Sequence, residues 1–347
     1  MSDIAKRFSD NPLLKPKDVA PSRDGFEVAC ILNPGVFEYQ GKTWLLIRVA
    51  ERPPQKPGYI SFPIMENGEV RVHEYSIDDP GLEASDPREI KYQGKGYITT
   101  MSHLRLASSD NGVDFTVHDD RNLFGTGPHE NFGIEDCRVT AIDGHYYLTY
   151  TAVSDNGYGV GMISTQDWSE FVRQGIIISG PNKDCALFNE RINGKYHCLH
   201  RPSMTIVGGN DIWLAESHDM EHWGKHRCLA KTRNGMWDSA RIGAGASPIK
   251  TKDGWLEIYH GADHDNRYCL GALLLDLKDP SRVLARSDQP IMEPVMPYEK
   301  NGFFGNVVFT NGHIVNGDEI TIYYGASDEF VCGATLSIVE ILDSLKT

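Results

Sequence analysis

The chain has 347 residues, with 34 Lys and Arg against 48 Asp and Glu and a formal net charge of −14. So acidic a protein lacks the basic footprint that a nucleic-acid backbone requires, which excludes DNA or RNA as the main partner but leaves room for one local cationic pocket. Hydrophobic residues make up 40% and charged residues 24%, values that provide a sizeable core and exclude disorder across the whole chain.

Residues 1–16, MSDIAKRFSDNPLLKP, hold no apolar core followed by a cleavage site, so no signal peptide is expected and the cytoplasm is the expected address. No apolar run approaches the length of a membrane span, so no membrane partner is expected. Next come strand pairs that share one design: a short apolar strand, a turn with Gly, then an aromatic-rich strand. They read 34–50, 88–102, 137–152, 186–202, 247–263 and 307–328, with turn glycines at Gly41, Gly94, Gly144, Gly194, Gly254 and Gly317. Third strands are expected at 104–109, 159–165, 211–217, 268–276 and 332–341, and polar-aromatic edge strands at 112–119, 167–175 and 220–228. Three to four antiparallel strands in a unit of about 50 residues is the requirement of a β-propeller blade. A β-sandwich would show no such superperiod. The hairpin units count to six, which fits five blades or six, because propellers often share one blade between the two ends of the chain. The Pro-rich stretch 51–58 reads as a loop inside the first unit. The expectation is one all-β propeller domain over 1–347, with a short N-terminal extension and a short C-terminal helix near 337–346.

Seven cysteines (Cys30, Cys137, Cys185, Cys198, Cys228, Cys269 and Cys332) are scattered without Cys-x-x-Cys spacing, which predicts buried free thiols rather than disulfides or zinc. His260 and His264 stand four apart, but on a strand-to-loop stretch rather than a helix, so no metal is expected there. Gly243, Ala244 and Gly245 precede no helical pattern, so they predict close packing or a tight turn, not a dinucleotide loop. The charged clusters recur instead at strand starts (85–89, 134–138, 182–186 and 237–245) and at strand ends (48–52, 100–103, 199–202, 259–266 and 323–328). Taken singly, Asp86-Pro87-Arg88 could be no more than a turn cap paired with its own Arg. Acids and bases repeating at equivalent places point to a shared pocket. Carboxylates, arginines, aromatics and asparagines suit a sugar, and glycosyl transfer needs a carboxylic acid to protonate the leaving oxygen. With water as nucleophile a second carboxylate must act as base; with phosphate a cationic cradle takes its place.

The stretches Phe132-Gly133-Ile134-Glu135-Asp136-Cys137-Arg138, Asn182-Lys183-Asp184, Leu199-His200-Arg201-Pro202, Trp237-Asp238 with Ile242 to Gly245, and Ile258-Tyr259-His260-Gly261 resemble glycoside hydrolase family 130, the mannoside phosphorylases and their β-1,2-mannosidase relatives. The resemblance runs from about Asn11 to Leu342. It implies a five-bladed β-propeller, Asp136 as general acid acting through a sugar hydroxyl, and Lys183 and His200 at positions that hold phosphate. It also implies Asn33, Arg48, Asp86, Arg88 and Asp328 around the mannose. Glu135, Arg138, Asp184, Asp238 and His260 join the substrate-binding set. Many phosphorylases carry an Arg in the loop after the Tyr-Thr-Ala strand; here residues 153–160 have none, so that contact is either missing or supplied from elsewhere, for example by Arg201 or Arg241. Inorganic phosphate is a co-substrate, no cofactor is implied, and a homo-oligomer is compatible with the fold. The expected activity is inverting phosphorolysis of β-mannosides, with β-1,2-linked mannobiose or oligomannoside first. An inverting β-1,2-mannosidase using Glu135, Asp238, Asp263 or Asp265 as base, and a non-catalytic glycan-binding propeller, are the alternatives.

Overall fold

Strand after strand opens on the turn chemistry read above. At the hairpin tips Asp143 and Gly144 sit at φ 50° and 79°, and Asn193 and Gly194 at 51° and 78°. Two successive left-handed residues make the tight turn whose twist matches that of paired strands. The computed structural model, which describes residues 3–203 and 206–346, is all-β.

The first strands are β1 (Lys6–Arg7), β2 (Glu27–Tyr39) and β3 (Lys42–Arg52). An excursion follows, made of β4 (Tyr59–Glu66) and β5 (Glu69–Ser76), then β6 (Leu82–Asp86), β7 (Glu89–Tyr92) and β8 (Lys95–Ile98). The chain then returns as β9 (Met101–Ser109), which pairs with β3, and β10 (Thr116–Leu123) pairs with β9. Next come β11 (Gly133–Ile142), β12 (His145–Ser154), β13 (Gly157–Thr165) and β14 (Val172–Ile178). The order β2-β3-β9-β10 meets β11-β12-β13-β14 only through one parallel pairing, Gly133 with Ser102. A separate sheet holds β15 (Asn182–Leu187), β16 (Tyr196–Pro202), β17 (Ile212–Ser217) and β18 (Trp223–Ala230) in that order. Another holds β19 (Arg241–Ala244), β21 (Trp255–Ala262), β22 (Tyr268–Leu275) and β23 (Val283–Arg286), with β20 (Ile249–Lys250) beside β21. The last is β24 (Val308–Asn316), β25 (Glu319–Ala326) and β26 (Phe330–Ser337), with β1 added at its edge. Among the described residues helix is limited to one short 3-10 turn at Pro16–Asp18, to α1 (Pro297–Lys300) and to α2 (Ile338–Ser344).

The core lies between these sheets. Phe37, Leu46 and Leu104 pack on Ile134, Leu148 and Ile163. Ile142, Val160 and Met162 pack on Cys185, Leu187 and Cys198. Phe188 and Leu199 meet Ile242 and Trp255; Ile258 and Leu270 meet Ile322 and Tyr324; Tyr323 and Val331 come back to Ile31, Leu45 and Ile47. These apolar layers join successive groups of strands, and the strands β25 and β26 pack on β2 and β3. Each fully buried Leu, Ile or Phe side chain contributes about 1.5–3 kcal/mol.

The unit expected at 88–102 is a correction. Its hairpin, β7–β8, belongs to a small three-stranded sheet with β6, not to a sheet built like the others. Together with β4–β5 it forms an insertion between β3 and β9, seated by Phe62, Ile64 and Ile90 against Phe132 and Val153. The stretch 51–58 is, as expected, a loop beyond the end of β3, and it leads into this insertion. All seven cysteines are free, and all but the exposed Cys228 are buried. Among the described residues no helix is long and apolar enough to cross a membrane.

β1 is held by more than its ladder. Arg7 Nε donates to Glu299 Oε1 at 2.6 Å, and Arg7 Nη2 donates to the Glu293 carbonyl at 2.7 Å. Glu299 is wholly buried and also accepts from Tyr324 Oη at 2.8 Å. Arg7→Ala leaves that carboxylate without its cation, and removal of one partner of a buried pair costs about 3 kcal/mol. The expected result is a lowered urea midpoint; an unchanged midpoint would show that the edge strand adds nothing.

Candidate active site

One backbone device brings polar side chains from several sheets to a common cavity. β2, β11 and β15 each carry an extra residue against their hairpin partner, between Leu32 and Gly35, between Glu135 and Arg138, and between Lys183 and Ala186. In each bulge one residue is left-handed: Asn33 at φ 45°, Asp136 at 50° and Asp184 at 55°. Asn and Asp tolerate this region because their short polar groups bond locally, and a bulge re-aims the side chain it carries. Asp328, at φ 48°, does the same from the turn after β25.

The cavity measures about 570 Å³. Of the expected site residues it is lined by Asn33, Arg48, Asp86, Arg88, Glu135, Asp136, Lys183, Asp184, Arg201 and Asp328. Arg48 is the fork between two acids: Nη1 donates to Asp136 Oδ1 at 3.1 Å, Nη2 to Glu135 Oε1 at 2.7 Å, and Nε to Ser102 Oγ at 2.9 Å. Asn33 Nδ2 adds a bond to Asp136 Oδ1 at 3.0 Å. Burial works to raise the Asp136 carboxyl, but Arg48, Arg138, the Asn33 amide and Lys183 hold it below its ordinary value. Asp328 goes the other way. Burial, with the charges of Asp136 and Glu135, outweighs Arg88 and Arg48 and pushes it up to about 6. Two carboxyls of one cavity are thus driven apart, the arrangement by which acid and base roles are set.

The insertion delivers Asp86 and Arg88. Arg88 Nε and Nη2 grip Asp86 at 3.0 and 2.8 Å, and the Arg88 backbone N–H donates to Asp86 Oδ1 at 2.9 Å. The turn cap is real, and its two residues also face the cavity, with the guanidinium 3.7 Å over the Phe304 ring.

Beneath the cavity lies Asp184, whose Oδ2 is 2.8 Å from Arg201 Nε and 3.3 Å from His260 Nε2, and whose Oδ1 is 3.3 Å from Arg138 Nη2. Burial opposes its charge, yet Arg201, His260 and Arg138 hold it well below the usual carboxylate range. A Cβ on Gly243 would fall 2.2 Å from Asp184 Oδ2 and 2.5 Å from His260 Cε1. Close packing, not a dinucleotide loop, is why this position is glycine.

Four expected substrate or phosphate residues do not line the cavity. Arg138 and His260 are buried supports of Asp184. Asp238 is wholly buried among Arg233, Arg286 and the Tyr259 hydroxyl. His200 is buried as well, with Nδ1 3.1 Å from Asn182 Oδ1 and Nε2 3.0 Å from His226 Nδ1. Burial first, then the neighbouring His226, lowers His200 to about 3, so it is a neutral imidazole rather than a cation. Asp263 and Asp265 also stand outside, in a turn that Asp263 Oδ1 closes by accepting the Asp265 and Arg267 N–H groups.

Residues beyond the expected set complete the walls. Arg241, expected only as a substitute cation, lines the cavity and bonds Tyr268 Oη at 2.7 Å and Asn266 Oδ1 at 2.9 Å. Tyr158 comes from the segment that lacks an Arg, and Lys183 Nζ lies 4.7 Å from its ring centre. Among the described residues neither Lys183 nor Arg241 is ion-paired with a carboxylate, whereas Arg48, Arg88 and Arg201 are. Aromatic character in a strand-to-loop stretch is the only signal in the sequence for Tyr158, Tyr268 and Phe303, and core residues carry the same signal.

A family model described as beta-1,4-mannooligosaccharide phosphorylase matches residues 71–347. The chain belongs to glycoside hydrolase family 130. It is 44% identical to a beta-1,2-mannobiose phosphorylase of Listeria innocua, over 98% of each chain. It is 37% identical to a 1,2-beta-oligomannan phosphorylase of a Thermoanaerobacter species, covering 97% of this chain and 98% of that one. A solved structure of a Listeria innocua beta-1,2-mannobiose phosphorylase in complex with beta-1,2-mannobiose superposes with a TM-score of 0.96 at 44% identity, over 99% of each chain. Solved glycosidases of Bacteroides ovatus and Bacteroides thetaiotaomicron, at 19% and 21% identity and TM-scores of 0.75 and 0.73, share the fold.

Two outcomes follow for this family 130 cavity. Asp328 rises from 3.8 in the unfolded chain to about 6, so the folded state binds its proton more tightly and stability falls as pH climbs from about 4 through 6. Asp328→Asn removes that loss: urea midpoints of variant and wild type should agree near pH 4 and diverge in favour of the variant by pH 7.5. Equal midpoints at every pH would contradict the assignment. Gly243→Ala forces Asp184 from its place, with an expected fall in turnover of about tenfold or more; steady-state kinetics at saturating substrate would read it.

Proposed function

We propose that this chain is an inverting phosphorylase that cleaves short β-mannosides, β-1,2-mannobiose or β-1,2-oligomannoside, with inorganic phosphate to give α-mannose 1-phosphate. The observation that carries this reading is the pair Lys183 and Arg241, two cations that line the cavity together with Asp136 and form no salt bridge with a carboxylate among the described residues. A phosphate dianion needs such a cradle. Hydrolysis needs a carboxylate free to activate water. Of the four carboxylates expected as that base, Glu135 is ion-paired with Arg48, and Asp238, Asp263 and Asp265 lie outside the cavity. The β-1,2 linkage is supported by the names of the Listeria and Thermoanaerobacter relatives.

In this reading Asn33, Arg48, Asp86, Arg88 and Asp328 hold the mannose to be transferred, and Lys183, Arg241 and Arg201 seat phosphate on the face opposite the leaving oxygen. His200 acts behind them by fixing Asn182, the neighbour of Lys183. Phosphate oxygen forms a bond to the anomeric carbon as the glycosidic bond breaks, which inverts the centre. Asp136 passes a proton through a sugar hydroxyl to the departing oxygen, and over the whole reaction the proton carried in by hydrogen phosphate ends on the released sugar. Lys183 is one of the charges that hold Asp136 low. A bound dianion offsets it, so phosphate itself prepares Asp136 to carry a proton.

The architecture belongs to the same proposal. The successive antiparallel groups, the apolar layers between them and the β1–β26 pairing support one five-bladed propeller domain over 1–347, closed by strands from both ends of the chain. A cytoplasmic address fits a reaction that conserves bond energy as a sugar phosphate. A homo-oligomer is compatible with this architecture, and no cofactor enters the mechanism.

Incubation with β-1,2-mannobiose, with and without phosphate, tests the reaction. Phosphate-dependent α-mannose 1-phosphate is the expected product; free mannose formed equally fast without phosphate would overturn the proposal. Asp136→Asn should reduce turnover by about 10²–10⁴-fold. Lys183→Ala or Arg241→Ala should raise the KM for phosphate about tenfold or more, the loss of one charge-assisted contact, with a smaller change for mannobiose.

A further inference from the structure

Glu257 lies in the middle of β21, outside the cavity and outside the residue set that the sequence pointed to. It is wholly buried. Its Oε1 accepts the backbone N–H of Gly245 at 2.8 Å, and its Oε2 has no hydrogen-bond partner among the described residues. The peptide it grips matters. The Gly245 carbonyl accepts from Arg138 Nε at 3.0 Å, and the adjoining Ala244 carbonyl accepts from Arg138 Nη2 at 2.9 Å. Arg138 Nη1 in turn donates to the backbone carbonyl of Asp136 at 2.8 Å. A Cβ on Gly245 would stand 2.3 Å from the Ile258 carbonyl, so this peptide runs directly against β21, which carries Glu257.

We propose that Glu257 is a positioning residue for the reaction: by holding the Gly245 N–H it fixes the carbonyls that orient Arg138, and through Arg138 it sets the left-handed backbone on which Asp136 is mounted. The inference rests on the functional reading above only in taking Asp136 as the acid. The residue works as a neutral carboxylic acid. An ionised carboxylate with one hydrogen bond in a dry site is too costly, and burial pushes Glu257 well above its ordinary value against the weaker opposing pull of the Gly245 N–H and of Arg138, the one charged group that acts on it. The proton belongs on the unpartnered Oε2, which leaves Oε1 free to accept. Gly245 therefore sits between a neutral acceptor below and a buried cation above, a linkage that fixes direction without adding a second negative charge beneath Asp136 and Asp184.

Three variants and one spectrum test this. Glu257→Gln keeps an acceptor at the same reach and carries no charge, so kcat on β-1,2-mannobiose with phosphate should stay within about threefold of wild type across the pH profile. Glu257→Asp withdraws the acceptor by one methylene, and Glu257→Met removes it. Both should lower kcat about tenfold or more, with the KM for mannobiose little changed, because the cavity walls remain. The infrared difference spectrum of wild type minus Glu257→Gln should show the C=O band of a protonated carboxylic acid that persists at pH 8. Wild-type kcat in the Asp or Met variant, loss of kcat in the Gln variant equal to that in Met, or absence of the band would each overturn the proposal. If the Met variant fails to fold, the Asp and Gln variants and the spectrum decide. Wild type that turns over no mannoside would instead count against the functional reading, and the spectrum would still report on Glu257.

Discussion

The site is built around one buried guanidinium. Arg138 is 1% exposed, and its donors reach the Asp136 carbonyl on its own strand, the Ala244 and Gly245 carbonyls of a different sheet, and the Asp184 carboxylate of a third. No apolar residue could join those groups, and Lys, with three donors on one nitrogen, could not make the four bonds that the planar fork of Arg138 makes from three. A buried cation is tolerable only when its donors are satisfied. Asp184 provides the counter-charge, and Arg201 and His260 then stabilise Asp184 from its other oxygen. The geometry of the cavity floor follows from that chain of obligations rather than from any single residue.

The left-handed bulges supply the other half of the design. A regular ladder sends successive side chains to the two faces of its sheet and cannot by itself aim one at the cavity. One added residue per strand breaks the ladder locally and turns Asn33, Asp136 and Asp184 toward a common space. The backbone strain stays modest because Asn and Asp accept this conformation better than β-branched or bulky residues do. Function is thus carried on rigid sheet, and the insertion β4–β8 adds the wall that bears Asp86 and Arg88.

Much of this could be read in the residues alone. The period near 50 residues was visible because each unit carries a glycine at the turn of its hairpin, and acids and bases gathered at strand starts because the bulges of β2, β11 and β15 lie near there. Where the reading went astray, local chemistry was ambiguous. Gln93 and Gly94 make the same left-handed turn as Asn193 and Gly194, so the insertion hairpin β7–β8 looked like another member of the repeat. Only the pairing of β3 with β9 across the insertion separates the two. Asp238 looked like its neighbours Asp136 and Asp184, but its arginines, Arg233 and Arg286, come from outside the short motif that contains it. His200 is neutral because of burial and His226, a partner on a different strand. Glu257 lies in an apolar, aromatic strand where a carboxylate has no obvious task. In each case the missing information was the identity of a contact outside the local motif, which spacing along the chain does not carry.

The pairing of β1 with β26 places Lys6 opposite Thr335. On a ribosome adding about 5–20 residues per second, the first strand must therefore wait on the order of 20 s or more before its partner exists. During that interval the edge it will cover has not been made, and the apolar layer between the last sheet and β2–β3 is open to solvent. Long-range closure of this kind slows folding relative to local pairing. The molecule is consequently completed by its oldest segment, and translation speed and early encounter with chaperones become determinants of yield independent of the finished structure's stability.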